Sequence, residues 1–107
     1  MPDLEISPVK VAEIVILARD PDRVEAELDE FIAAMNEDEQ AELVAIMWIG
    51  RGAFEAGDWD EALRTARAQA TTPTAGYLKG SPHLADHLEA GLAALGFDPS
   101  EAEDRVY

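Results

Sequence analysis

Apolar residues recur along the chain with the period of an α-helix. Between Val24 and Met35 they stand at positions i, i+4, i+7, i+8 and i+11, which aligns them on one face of an otherwise acidic helix. Two later segments repeat this spacing, and their apolar positions are Trp59, Ala62, Leu63, Ala66 and Ala70 in the first and Leu84, Leu88, Leu92 and Leu95 in the second. The segment from Leu43 to Ile49 is apolar nearly all round, so we expect a central helix that is packed on several sides.

The segment from Val9 to Ala18 is compatible with two structures. It contains several β-branched residues, which favour a strand. No second segment has the pattern of a strand that could pair with it, so we predict a helix. Together the segments predict an all-α protein, a compact single-domain bundle of about five helices over residues 1–107, with loosely ordered ends at residues 1–6 and 98–107.

Capping side chains mark where these helices begin. The candidate N-caps, each of which precedes a proline or an acidic first turn, are Ser7, Asp20, Asn36, Asp58 and Ser81. Asn36 is followed three residues later by Glu39, which is the pattern of a capping box. Glycines mark the helix ends: we expect Gly96 to end the last helix in a left-handed conformation, and Gly50 with Gly52 to close the central helix.

Composition and charge limit the classes of function. The 107 residues include 23 acidic and 8 basic side chains, for a formal net charge of −15, and no cysteine. This charge repels nucleic acids and anionic membranes, because binding to either depends on Lys and Arg. Without cysteine there are no disulfides, thiol nucleophiles or cysteine-ligated zinc ions. The apolar runs are too short to span a membrane and the acidic N-terminus is unlike a signal peptide, so we expect a cytoplasmic protein.

Half of the basic residues are concentrated in one stretch of the chain. Residues 51–80 contain four acids and four bases and are neutral, whereas the flanking segments 1–50 and 81–107 are acidic. The neutral stretch also contains aromatic rings, which offer flat apolar surfaces with polar edges. Its basic and aromatic side chains are therefore the candidate contacts for a ligand or partner, and they are Arg51, Trp59, Arg64, Arg67, Tyr77 and Lys79.

Arg51 has two interpretations. Placed between two glycines on a tight loop, it could hold a carboxylate or phosphate group bidentately. It could equally serve a structural role, either by satisfying carbonyl groups at the helix end or by pairing with Glu55 or Asp58. Arg64 follows Asp60 by four residues, which is the spacing of an ordinary surface ion pair.

Four segments carry a resemblance to a known family. They are Trp48-Ile49-Gly50-Arg51-Gly52, Asp58-Trp59-Asp60-Glu61-Ala62, Tyr77-Leu78-Lys79-Gly80 and Leu84-Ala85-Asp86-His87-Leu88. From Asn36 to Gly96 the chain resembles a family of small uncharacterised bacterial proteins catalogued as a domain of unknown function. Members of that family carry W-[IL]-G-R-G-D and Y-L-x-G-x-P-x-L-A-D motifs, and this sequence departs from them at Ala53 and at His87. The resemblance implies a bacterial helical domain and assigns no activity, ligand or catalytic residue.

The sequence offers little for catalysis. His83 and His87 stand at i and i+4 with Asp86 between them, which echoes a zinc-protease motif but lacks the third histidine that such a site needs. We therefore expect no metal ion and no other cofactor. We interpret the two histidines as boundary residues beside the apolar face of their helix.

These features favour a non-enzymatic, acidic helical module that binds a protein partner or itself, for example as a homodimer. The alternative is a protein that binds a small anionic ligand through Arg51 and the nearby basic residues. A metal-dependent hydrolase is a third and weaker hypothesis. Neither a nucleic acid nor a membrane is predicted as a partner.

Overall fold

The computed structural model describes residues 4–20, 22–24, 26–69 and 73–106, and this part of the chain contains helices and no strand. The helices are α1 (Pro8–Arg19), α2 (Glu27–Ala33), α3 (Glu37–Arg51), α4 (Trp59–Ala68), α5 (Thr74–Lys79), α6 (Leu84–Ala94) and α7 (Pro99–Asp104), and a 3-10 turn, Ala56–Asp58, precedes α4. Five of them have seven or more residues. The prediction of an all-α bundle of about five helices is confirmed, and α1 confirms the helix at Val9–Ala18.

Helix α3 lies at the centre of the bundle. All seven residues from Leu43 to Ile49 are buried, as their apolar pattern predicts. The helix packs against α4, α5 and α6, while α1 packs against α2, α6 and α7. None of the helices in the described ranges is both long and apolar enough to span a bilayer.

Helices α3 and α6 cross at two glycines that allow their backbones to touch. A methyl group on Gly50 would lie 1.7 Å from the carbonyl oxygen of His87, and one on Gly91 would lie 2.1 Å from the carbonyl oxygen of Ile46. The expectation that Gly50 caps α3 is therefore wrong, because Gly50 lies inside the helix and at this crossing. The cap is Gly52, whose φ of 86° is left-handed.

The N-terminal caps of α1 and α3 agree with the sequence. The Ser7 hydroxyl accepts a hydrogen bond from the amide of Val9 at 3.1 Å. The Asn36 side chain accepts from the amide of Glu39 at 2.7 Å, while the Glu39 carboxylate accepts from the amide of Asn36 at 3.2 Å. This capping box is confirmed, and so is Gly96, whose φ of 95° follows the end of α6.

The predicted start of α6 at Ser81 is wrong. The N-cap of α6 lies two residues later, at His83, which has a left-handed φ of 57°, and the helix begins at Leu84. The Ser81 hydroxyl instead donates to the carbonyl oxygen of Tyr77 at 3.0 Å and so closes the end of α5. Because a serine hydroxyl can serve either neighbouring helix, Ser-Pro alone does not distinguish the two roles.

Two acidic N-caps also differ from expectation. Asp20 ends α1, and its carboxylate accepts from the amide of Asp22 at 3.0 Å in a turn; α2 begins only at Glu27. Asp58 is the N-cap residue of α4, as predicted, but its side chain makes no capping hydrogen bond. Two predicted positions lie outside the described residues. They are Pro21, the residue after the predicted cap Asp20, and Ala70, the last apolar position predicted for the helix after Asp58.

The two ends of the described chain are attached to the bundle. Ile6 is fully buried, and its amide donates to the carboxylate of Glu42 at 2.8 Å. Burial raises the pKa of the Glu42 carboxyl, and the hydrogen bonds from the amides of Ile6 and Glu5 oppose that shift. At the other end, residues 98–107 were expected to be loosely ordered, but Pro99–Asp104 form α7, with Ala102 buried.

Candidate functional site

An open groove of about 880 Å³ lies between α3, α4 and α5. Small and apolar side chains make up most of its wall, and polar groups stand at the rim. Its lining consists of Glu37, Asp38, Gln40, Ala41, Val44, Trp48, Ala66, Arg67, Ala68, Gln69, Pro73, Thr74 and Tyr77. Residues 70–72 connect Gln69 to Pro73 and lie outside the described residues, so they form no part of the site that we define.

Two aromatic residues meet in this groove. Trp48 is buried in α3, and its indole Nε1 donates to the hydroxyl oxygen of Tyr77 on α5 at 2.9 Å. Tyr77 is the exposed large hydrophobic residue of the described chain, with 39% of its surface accessible. The Trp48 ring also stacks on Phe54 with a centroid separation of 5.8 Å. The hydrogen bond and the stacking hold the indole in place and present the tyrosine to the groove.

The charged side chains of the groove lining are two acids, Glu37 and Asp38, and one base, Arg67. Arg67 on α4 donates to the carboxylate of Asp38 on α3 at 2.9 Å, and more than half of each side chain is exposed. An exposed pair of this kind contributes little stability, on the order of 0.5 kcal/mol, so it can exchange partners readily. Glu37, the first residue of α3, is exposed beside this pair. The charges of Arg67 and Asp38 cancel, so the groove lining has a net charge of −1, which Glu37 carries.

Lys79 does not reach the groove. It lines a smaller cleft of about 280 Å³, together with Arg19 and His83, and its Nζ lies 3.0 Å from the carboxylate of Asp29. Tyr77 and Lys79 are therefore separated, although only one residue lies between them in the sequence.

Three other candidate residues lie away from both cavities. Trp59 is buried in the core at the start of α4. Arg51 and Arg64 are exposed, and neither forms a hydrogen bond or an ion pair with any residue that the structure describes. Within the described chain, the predicted pairing of Arg51 with Glu55 or Asp58 does not form. Of the six candidates, only Arg67 and Tyr77 come together.

The two histidines lie at the edge of the bundle, but only His87 is in α6, because His83 is the left-handed residue directly before that helix. Leu84 and Leu88 are buried, whereas His83 is exposed and His87 is half-buried. The histidine rings meet edge to face with centroids 6.2 Å apart, and Nδ1 of His87 is buried without a hydrogen-bond partner among the described residues. In the ranges described, no three histidine, cysteine, aspartate or glutamate side chains are grouped so that they could hold a metal ion.

Sequence reasoning missed one partly buried ion pair, in which the carboxylate is buried and the lysine is exposed. The Nζ of Lys10 on α1 lies 2.8 Å from the carboxylate of Glu39 on α3, and Glu39 is 8% exposed. The lysine and the amide of Asn36 lower the pKa of the Glu39 carboxyl. The capping box predicted the local bond to Asn36, but nothing in the sequence pointed to the lysine 29 residues away.

Comparison with known proteins identifies the family. A family model described as "Protein of unknown function (DUF3775)" matches residues 25–97. The chain belongs to the DUF3775 family. The matched region of this DUF3775 protein contains α2 to α6, and therefore the whole groove, while α1 and α7 lie outside it. No curated protein and no solved structure matches the chain. The expectation of a family of unknown function is confirmed at this level.

Proposed function

We propose that this DUF3775 protein is a non-enzymatic binding module whose groove between α3, α4 and α5 docks a basic peptide segment of a partner protein. In this proposal, an apolar side chain of the peptide packs against Tyr77, and lysine or arginine residues beside it face the acidic rim. The exposure of Tyr77 carries the proposal, because the other large hydrophobic side chains of the described residues are buried or only partly exposed. Aromatic residues that are exposed yet held in place are typical anchors of protein interfaces.

The charge of the protein supports a basic partner. The chain carries a net charge of −15, and Glu37 and Asp38 stand at the mouth of the groove. A cationic side chain of the peptide can compete with Arg67 for Asp38, because that ion pair is exposed. Complementary charge of this kind accelerates association and selects between partners. The same charge disfavours a second copy of the chain as the occupant, since two copies would bring acidic rims together.

The alternative of a small anionic ligand receives less support. It requires basic side chains that converge, whereas Arg51 and Arg64 lie outside the groove and Arg67 is paired with Asp38. The groove does have a volume within the range of small-molecule sites, so a competing ligand is included in the experiment below.

A catalytic role also receives less support than binding. Catalytic acids and bases are usually carboxyl or imidazole groups whose pKa is shifted inside a cleft. The carboxyl groups with shifted pKa values in this protein include Glu39, Glu42 and Glu103, and none of these lines the groove. We therefore assign the groove to recognition.

Selection from a random library of 12-residue peptides displayed on phage tests the proposal. We expect the enriched peptides to combine one large apolar residue with neighbouring Lys or Arg. Glu37→Lys should weaken the binding of these peptides about tenfold, because it reverses a charge at the rim. The matched control is Glu61→Lys, which makes the same charge change in the first turn of α4 but outside the groove, and which should have little effect.

Other outcomes would contradict the proposal. Enrichment of acidic or purely apolar peptides would do so, as would equal weakening by the two charge reversals. Sedimentation of the protein alone is expected to give a monomer, and a stable dimer that occupies the groove would favour self-association. A thermal shift caused by inorganic phosphate or citrate and abolished by Arg51→Ala would favour the anionic-ligand alternative.

A further inference from the structure

One ion pair joins two walls of the groove. Nη2 of Arg67, in the last turn of α4, donates to Oδ1 of Asp38, in the first turn of α3, at 2.9 Å. The two residues are 29 positions apart in the sequence, and both line the groove. The pair therefore lies where the proposed function places a basic residue of the partner.

This ion pair is a single contact that is open to solvent. The side chains of Arg67 and Asp38 are 54% and 51% exposed. Within the described ranges, neither side chain has a second hydrogen bond or ion pair. An exposed pair with one hydrogen bond is weak, so Arg67 leaves Asp38 and returns to it readily.

Arg67 carries the same kind of charged group as the partner that we propose. A basic residue of a peptide reaches Asp38 only when Arg67 has left it, and the exchange of one cation for another at the same carboxylate yields little free energy. Glu37 differs, because it forms no ion pair with any described residue and attracts a cation without such an exchange. The internal pair therefore subtracts from the affinity that the two acids would otherwise give.

We propose that Arg67 is an internal competitor, which occupies Asp38 in the free protein and thereby lowers the affinity of the groove for basic peptides. This inference rests on the proposed function and adds a regulation of the same site. The apparent affinity of a site falls in proportion to the fraction of molecules in which the site is free. A weak pair that is formed about two thirds of the time lowers the affinity about threefold.

The competitor also affects which ligands bind. Because the exchange at Asp38 gives little net affinity, the apolar contact with Tyr77 must supply a larger share of it. A ligand that has positive charge but no apolar side chain therefore binds weakly. Arg67 thus makes the groove depend on both parts of the peptide.

Fluorescence anisotropy of a labelled, selected basic peptide tests the competitor in the full chain. Arg67→Gln should tighten binding about threefold to fivefold, because it removes both the competition and the repulsion between Arg67 and the peptide. The matched control is Arg64→Gln. It removes the same charge from an exposed residue of α4 that lies outside the groove and has no ion pair within the described chain, and it should change the affinity less than about 1.5-fold.

Two further measurements separate competition at Asp38 from a general effect of charge. In an Asp38→Asn background, Arg67→Gln should tighten binding no more than Arg64→Gln does, because the contested carboxylate is absent. In the unmodified background, the gain from Arg67→Gln should shrink as the NaCl concentration rises, because salt screens the exposed internal pair.

Three results would overturn the competitor. They are equal effects of Arg67→Gln and Arg64→Gln, a gain that survives in Asp38→Asn, and weaker binding in Arg67→Gln, which would show that Arg67 itself holds the peptide. A selection that yields no basic peptide would overturn the proposed function and the competitor together. Basic peptides that bind the unmodified protein and Arg67→Gln with equal affinity would overturn the competitor alone.

Discussion

The Cα atom of Gly50 lies against the carbonyl oxygen of His87, so α3 and α6 touch through their backbones. A methyl group at this position would approach that oxygen to 1.7 Å, which is well inside van der Waals contact. On α6, Gly91 approaches the carbonyl oxygen of Ile46 on α3 in the same way, and each glycine lies one helical turn from the residue that the other one contacts. At this crossing α6 covers one side of α3. The groove lies on another part of the α3 surface, between α3, α4 and α5.

Substitution of either crossing glycine should destabilise the protein strongly. Gly50→Ala and Gly91→Ala force the helices apart, and we expect each to cost about 3 kcal/mol of the free energy of unfolding. Gly76→Ala is the control, because Gly76 lies in α5 with nothing within 4 Å of an added methyl group. It should be neutral or stabilise by about 0.5 kcal/mol through helix propensity. Urea unfolding measures the free energy of unfolding of all three variants. An equal effect of the control and the two crossing substitutions would contradict the backbone contact.

The sequence predicted the helices better than their ends. The apolar segment from Leu43 to Ile49 predicted a central helix, because a helix that is apolar all round must be covered on several sides. Glycine is less informative, since it occurs both where a left-handed residue ends a helix and where two helices touch. The sequence could not separate Gly50, which lies at a crossing, from Gly52, which is the cap. Only the position of α6 in space distinguishes them.

The candidate site was predicted only in part, for a geometric reason. Tyr77 and Lys79 are close in sequence, but two residues along a helix correspond to a rotation of about 200°, so the side chains face opposite sides. Tyr77 therefore lines the groove, while Lys79 faces α2 and pairs with Asp29. The concentration of basic residues in residues 51–80 indicated a stretch that supplies about half of the groove lining, and the other half comes from α3. It could not indicate which faces of α4 and α5 turn toward α3.

The two interpretations of Arg51 predict different stabilities for Arg51→Ala. Because Arg51 is exposed and unpaired within the described chain, this change should alter the free energy of unfolding by less than about 0.5 kcal/mol. Arg19→Ala is the comparison, since it leaves Asp86, Glu89 and Glu103 without their shared cation, and it should cost about 1 kcal/mol. A large loss of stability in Arg51→Ala would restore the structural interpretation of that residue.

The ion pair between Lys10 and Glu39 should contribute stability that depends on pH. The pKa of Glu39 is lower in the folded state than its ordinary value of 4.5. Its contribution is therefore present above pH 4.5 and lost as the pH falls below that value. Glu39→Gln preserves a capping-box side chain and removes the charge, so we expect it to cost about 1–2 kcal/mol at pH 6 and less at pH 3.

Unfolding curves of Glu39→Gln at pH 6 and pH 3 check this prediction. The control is Glu37→Gln, which removes an exposed acid two residues earlier in the same helix. A cost for Glu39→Gln that stays constant between the two pH values would show that Glu39 acts through packing and not through its charge.

Added salt should stabilise the protein by screening acidic repulsion. Residues 20–42 contain ten acidic side chains and a single base, Arg23. An increase from low to moderate NaCl concentration screens these charges over a Debye length of about 10 Å at 0.1 M. We therefore expect the Tm to rise, and a Tm that falls or stays constant would argue that this acidic segment is not self-repelling.

The indole signals of the two tryptophans test the docking site most directly. Trp48 donates its Nε1 hydrogen to Tyr77 in the groove, whereas Trp59 is buried and lies outside it. In an ¹⁵N-labelled sample titrated with the most tightly bound selected peptide, Trp59→Phe assigns the two signals. Docking as proposed predicts that the Trp48 indole signal shifts and that of Trp59 stays in place. Saturable binding that leaves the Trp48 signal unchanged would contradict the groove as the docking site.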